Sequence, residues 1–346
     1  MANVELRPVV LSHLLKTYWN MAGAQRHRVV LVESGPGTGK TTLCAEAARE
    51  DGRAVVIRYC PLLQPEDLGL PQFNNDLKTH YFTVPDWYPS QRKVDAGEIP
   101  ERGVLLLDEF SQCREEISKP LAAMFHMRSL HSEPMAEEWE VVLTGNQVKH
   151  RAGAYRLLSH IDNRITRLSM AVHLEDLERW MIAHEVEPEV VTYTCKFKSD
   201  RAYAFDPDRE GNPTPRSWVE GVSPLLKAGV KGVELLAGVQ GAIGTGDAEA
   251  FIAFLDQIAS LPDMRLLLAQ PETYPLPTKA DVKYAISCSL AKLANKDNIE
   301  AVMKFAMRLE PDYAMSLALQ VVSKDKNLIN CPSVRDLVIK IRKYIV

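Results

Sequence analysis

Residues 33–42 read Glu33-Ser34-Gly35-Pro36-Gly37-Thr38-Gly39-Lys40-Thr41-Thr42. An apolar run, Val29-Val30-Leu31-Val32, precedes them, and a helix-like stretch from Leu43 to Arg49 follows. A strand, a glycine-rich loop and a helix start together form a cradle for phosphate, because glycines let successive backbone N–H groups face one anion. Gly35, Pro36, Gly37, Thr38 and Gly39 would make that cradle. Lys40 would reach the β- and γ-phosphates, with Thr42 beside it in the first helical turn, and the Thr41 hydroxyl would hold Mg²⁺. The full phosphate-loop pattern has glycine where this chain has Ser34, a change tolerated if that residue keeps a negative φ.

Working outward, the runs 29–33, 54–59, 104–107, 140–144 and 165–168 are short, apolar and rich in Val, Leu or Ile. Helix-length stretches separate them. This alternation predicts an α/β fold, a parallel sheet with helices on both faces. Buried parallel strands read as unbroken apolar runs, as Val104-Leu105-Leu106-Leu107 does. Residues 60–100 carry Pro61, Pro65, Pro71, Pro85, Pro89 and Pro100 and read as a loop-rich excursion. Past about residue 170 the strand pattern gives way to helical spacing. In Asp247 to Leu261, Phe251, Phe254, Leu255 and Ile258 share one face. Asp297 or Asn298 is placed to cap a helix beginning near Ile299.

Hydrolysis of a nucleotide needs a metal ligand and an oriented water as well as a cradle. Val104 to Glu109 supplies both: a buried strand with two carboxylates at its tip. Asp108 would hold Mg²⁺ through water, and Glu109 would polarise the attacking water. Glu140 to Asn146 is a second strand ending in a polar amide, and a neighbouring strand tip would set Asn146 beside the γ-phosphate.

The 346 residues exceed one average domain. Lys plus Arg is 41 and Asp plus Glu is 45, so the net charge is −4 and gives no electrostatic footprint for nucleic acid. Lys78, Arg92, Lys93, Lys149 and Arg151 could still converge locally. The N-terminal residues do not read as a signal peptide, and no apolar run is long enough to span a bilayer. The six cysteines, at 44, 60, 113, 195, 288 and 331, form no Cys-x-x-Cys pair. They read as free thiols of a cytoplasmic protein. No metal beyond Mg²⁺ is expected.

With these motifs in hand, the chain resembles the AAA+ ATPases, and within them a bacterial and phage MoxR-like subgroup. The resemblance is carried by Gly35 to Thr41, Leu105 to Glu109 and the Asn146 strand. It is extended by Pro65 to Pro71, Val84 to Trp87, Gly153 to Leu157, Asp162 to Arg164, Phe205 to Pro207 and Pro213 to Trp218. It covers roughly residues 1–260 and implies an α/β nucleotide-binding core at 1–170, a helical lid at 171–230 and a C-terminal helical extension at 231–346.

It further implies a homo-oligomer, a hexameric ring with ATP between subunits. Asn146 would be the sensor 1 residue and Arg216 the sensor 2 residue of the lid. Arg164 would be the arginine finger, with Arg156 and Arg151 as rivals. The chain departs from the family in its strand after Arg164, Ile165-Thr166-Arg167-Leu168, where an aromatic usually follows the arginine. Such ATPases remodel a protein client, often one with a von Willebrand factor A domain. Two other classes compete: a nucleic-acid motor or phage or anti-phage component, and a scaffold that ATP only assembles. Trp87, Tyr88 and Tyr81 are either pore aromatics or packing residues, and Arg128 matches a recurring arginine of the subgroup.

Overall fold

The computed structural model describes residues 4–21, 28–147, 165–259, 261 and 264–342. The chain divides into two compact units, residues 1–172 and 173–346. In the first, β1 (Glu5–Leu6) leads to α1 (Pro8–Trp19), and β2 (Val29–Ser34) runs into the phosphate loop and α2 (Lys40–Glu50). Next come β3 (Ala54–Tyr59), β4 (Pro71–Asn74), β5 (Thr79–Phe82), α3 (Gln91–Asp95), β6 (Gly103–Asp108) and α4 (Glu115–Met127). The short β7 (Ser129–Leu130) and β8 (Glu133–Pro134) precede β9 (Trp139–Asn146) and β10 (Ile165–Met170).

Six strands form one parallel sheet in the order β1-β10-β2-β9-β6-β3. Strand alternation sends Val30, Val32, Val104, Leu106 and Val142 to one face. There they pack on Leu11, Leu15 and Trp19 of α1 and on Cys44, Ala45 and Ala48 of α2. Leu31, Leu105, Leu107, Val141 and Leu143 face the other way, onto Phe110 and onto Ile117, Leu121 and Phe125 of α4. Both faces are covered, which is why these strands carry no polar alternation. The α/β expectation holds, and all five expected strands are present.

The chain leaves β2 for the α2 face and leaves β6 for the α4 face. Between two such departures a sheet opens a crevice at its carboxyl edge, where ligands bind in open α/β folds. The tips of β2, β9 and β6 meet there in register, Ser34 opposite Asn146 and Leu107 opposite Leu143.

Residues 60–100 are more ordered than a loop-rich excursion. β4 and β5 pair antiparallel, with Gln72 opposite Tyr81 and Phe73 opposite His80. Phe82 stacks on His131 at 4.5 Å between ring centroids, which ties this hairpin to the β7–β8 turn. Pro61, Pro65 and Pro71 stand at the starts of short elements, where their missing N–H costs little.

The second unit is helical, as the spacing past residue 170 predicts. Helices Leu174–Ala183, Gly232–Ile243 and Thr245–Ala259 surround Tyr193, Trp218, Phe251 and Phe254. Leu255 and Ile258 pack partly buried against the same core. From Met264 onward a separate core gathers Leu290, Val302, Phe305, Leu317, Val321 and Leu337 from helices Ala280–Leu293, Ile299–Ala306, Pro311–Lys324 and Pro332–Arg342. Asn298 takes the N-cap position of helix Ile299–Ala306, but its side chain caps nothing there. Its Oδ1 accepts from the Asn295 N–H at 2.8 Å, because the tight turn before the helix claims it first.

Candidate nucleotide-hydrolysis site

The phosphate loop turns on two left-handed glycines, Gly37 at φ 68° and Gly39 at φ 89°. A Cβ added at Gly39 would meet nothing within 4 Å, so glycine is required there by backbone conformation and not by space. The loop then delivers Lys40 to the first turn of α2, and the N-terminal end of a helix favours an anion. Ser34 ends β2 in extended backbone, opposite Asn146, and so stands comfortably where glycine is usual. Its buried hydroxyl is in hydrogen-bond contact with the Thr38 hydroxyl, which also donates to the Gly35 carbonyl at 3.0 Å.

The buried Lys40 ammonium donates to Asn146 Oδ1 at 2.8 Å and to the Gly35 carbonyl at 3.1 Å. The same Asn146 carboxamide donates through Nδ2 to Glu109 Oε2 at 2.8 Å. One amide thus joins the lysine of the loop to the second carboxylate of β6. Asp108 Oδ1 accepts from the Thr41 hydroxyl and from the Thr144 hydroxyl, each at 2.5 Å. Asp108, Glu109, Lys40, Thr41 and Asn146 therefore form a single constellation, and Thr42 is exposed one residue beyond it. A hydroxyl and a carboxylate in contact are the hard oxygen donors that Mg²⁺ takes from a protein, with water and phosphate completing the shell. Thr41 and Asp108 fit that ion.

Glu109 is held in an unusual backbone state, left-handed at φ 53°. For a non-glycine residue this costs on the order of 1–3 kcal/mol and persists only where the surroundings enforce it. Here they do: the Glu109 N–H donates to Thr144 Oγ1 at 3.1 Å, and Gln112 Nε2 donates to Glu109 Oε2 at 3.0 Å. Ser111 Oγ accepts from the Asn146 N–H at 3.1 Å.

Gln112, Thr144 and Ser111 were not singled out from the sequence. Gln112 lies three residues past Glu109, a spacing at which side chains on one helical turn meet. That is the only sequence signal that could have found it. Thr144 and Ser111 give none, because each acts through a strand or loop distant in the chain.

Thiols surround the site without joining it. Burial pushes the Cys44 thiol up to about 12, with Asp108 adding to the rise and Lys40 opposing it. Cys60 is raised by its hydrogen bond with Cys113 and then by burial, and that bond lowers Cys113. All six cysteines are free.

Arg164, Arg156, Arg151 and Lys149 lie outside the described residues. Arg216 is in the second unit, mostly exposed, with Nε 4.0 Å from Glu220 Oε2. Trp87 and Tyr88 are buried packing residues, and the Tyr88 hydroxyl bridges the Leu130 N–H and the Glu133 carbonyl. Tyr81 is exposed on β5. Arg128 donates to the Ala136 carbonyl at 2.8 Å and closes the turn after α4. Lys93 is buried, its ammonium on the carbonyls of Pro85, Asp86 and Tyr88, and desolvation lowers its pKa. Arg92 faces Glu98 and Glu133. These two therefore do not extend a basic track. Among the described residues no helix is long and apolar enough to cross a membrane.

No protein-family model matches the chain, and no curated protein matches it. Among solved structures it is similar to a candidate ATPase from Cytophaga hutchinsonii, at 13% identity over 97% of this chain and 88% of that one, with a TM-score of 0.35. It is also similar to a point mutant of Thermotoga maritima RuvB, at 16% identity over 81% and 79%, with a TM-score of 0.35. Brucella abortus NtrX shares 12% identity over 99% and 69%, with a TM-score of 0.41. The architecture itself is an α/β fold: a parallel sheet with the phosphate-loop strand inside it, helices on both faces, and a helical second unit.

Proposed function

We propose that this chain is an Mg²⁺-dependent ATPase of the MoxR-like type, working as a ring to remodel a protein partner. The observation that carries the hydrolytic part is the Lys40–Asn146–Glu109 chain beside the Asp108–Thr41 pair. These contacts support a reading in which Lys40 is the phosphate-binding cation, Asn146 the polar sensor, Glu109 the general base and Asp108 the metal-ligating carboxylate.

In the proposed reaction a water oxygen attacks the γ-phosphorus. The bond from that phosphorus to the β–γ bridging oxygen breaks, giving ADP and phosphate. Glu109 takes the proton the water loses. Lys40 and the loop N–H groups hold the phosphates, and Asn146 aligns water and γ-phosphate from the adjacent strand tip. Bound Mg²⁺, held by Thr41 and Asp108, would supply neutralisation of phosphate charge.

The finer reading rests on the resemblance of the motifs. Under it, Arg164, with Arg156 and Arg151 as rivals, reaches the neighbouring subunit's γ-phosphate, where a guanidinium offsets transition-state charge. Arg216 acts from the lid at 171–230, and the extension at 231–346 moves with it. The ring is a hexamer and its client a protein, in the first instance one with a von Willebrand factor A domain.

The test is phosphate release from ATP by the full chain and by Glu109→Gln. The substitution should abolish turnover, retain ATP binding and trap the client in a pulldown. Unchanged turnover in Glu109→Gln refutes the assignment. Stimulation by DNA would favour the nucleic-acid motor instead.

A further inference from the structure

Glu109 is held at one carboxylate oxygen by two carboxamides, Asn146 at 2.8 Å and Gln112 at 3.0 Å. The two are not equivalent. Asn146 belongs to the tip of β9, and its Oδ1 is engaged by Lys40, the cation of the phosphate loop. Gln112 belongs to the turn that follows Glu109 itself, and its backbone N–H donates to the Glu109 carbonyl at 2.9 Å. Its hold on the carboxylate is therefore local and does not pass through the phosphate loop.

We propose that Gln112 is a positioning residue for the general base, keeping the Glu109 carboxylate aimed at the attacking water while the Asn146 carboxamide serves the γ-phosphate. The proposal rests on the hydrolytic reading above. A phosphate oxygen competes with Asn146 Oδ1 for the Lys40 ammonium, and as a second anionic acceptor it also competes with Glu109 for Asn146 Nδ2. A glutamate has several rotamers, and only those pointing into the crevice are productive. Gln112 restricts that choice whichever partner Asn146 takes. The left-handed Glu109 opens the short turn that carries Gln112.

Two substitutions and one spectroscopic measurement test this in the full chain. Gln112→Met keeps the length of the side chain without its donors, and Gln112→Lys restores a donor at similar reach. Gln112→Met should lower kcat for ATP by about 10- to 100-fold with KM within about twofold, since misplacing a reacting group acts on the chemical step. Gln112→Lys should recover most of that loss. Without nucleotide, the ¹H–¹⁵N resonance of the Gln112 side-chain amide should move on Glu109→Ala. Wild-type kcat in Gln112→Met, equal losses in both Gln112 variants, or an amide resonance indifferent to Glu109→Ala would each overturn the proposal while leaving the ATPase reading intact. A wild-type chain that releases no phosphate overturns both, even where the resonance moves.

Discussion

Lys40 and Asn146, 106 positions apart in the chain, are joined by a hydrogen bond of 2.8 Å. Through the same carboxamide Asn146 reaches Glu109. Asn146→Ala therefore removes a side chain that touches both Lys40 and Glu109, the proposed general base. We predict a fall in kcat of about 10²-fold, the usual effect of deleting one preorganised donor. Steady-state phosphate release and ATP affinity, measured side by side, check it. Equal weakening of binding and turnover would mean that Asn146 only supports Lys40.

The Thr41 hydroxyl touches Asp108, and this pair fits Mg²⁺. Thr41→Val keeps the shape and removes the oxygen. The concentration of Mg²⁺ giving half-maximal turnover is expected to rise severalfold, and chelation by EDTA should stop the wild-type reaction. Titration of activity against Mg²⁺ measures both.

Gly39→Ala isolates a backbone effect. Its φ of 89° is disfavoured for alanine, while the added Cβ has room. The expected cost is about 1–2 kcal/mol in the folded protein. An alanine-relaxed loop would also present its N–H groups less well to phosphate. A thermal melt with and without ATP should show a lower midpoint and a smaller nucleotide-induced rise. An unchanged melt would mean the loop adopts another conformation.

Lys93 separates packing from nucleic-acid binding. Its ammonium satisfies three backbone carbonyls under α3. Lys93→Met should destabilise the first unit by roughly 1–3 kcal/mol, the range for leaving buried polar groups unpaired. It should leave any salt-dependent binding of DNA unchanged. Urea unfolding gives the first quantity and a filter-binding titration the second. Loss of DNA binding in a stably folded variant would restore Lys93 to a basic track.

Most of the first unit was legible because a parallel sheet buried on both faces leaves a plain trace. Val29 to Val32 and Val104 to Leu107 carry no polar break, and prolines and glycines mark the turns. The β4–β5 hairpin was not legible. Its residues, among them Phe73 and Tyr81, are largely exposed, so no buried face imposed a readable alternation. The carboxylates at the tip of β6 stood out because charge directly after a buried run is unusual. Gln112 did not stand out, because a glutamine on a half-exposed turn is ordinary until its amide is seen against Glu109.

The sequence by itself determined the cradle. Glycine at positions 37 and 39, and the order lysine then threonine, follow from local backbone conformation and from what a phosphate and a hard cation require. Tertiary structure alone decided which distant groups share that cradle. Strand order brings β9 between β2 and β6, and so sets Asn146 against both Lys40 and Glu109. Pairing of that kind is fixed by nonlocal hydrogen bonds and by the packing of both sheet faces, which no local stretch of the chain records.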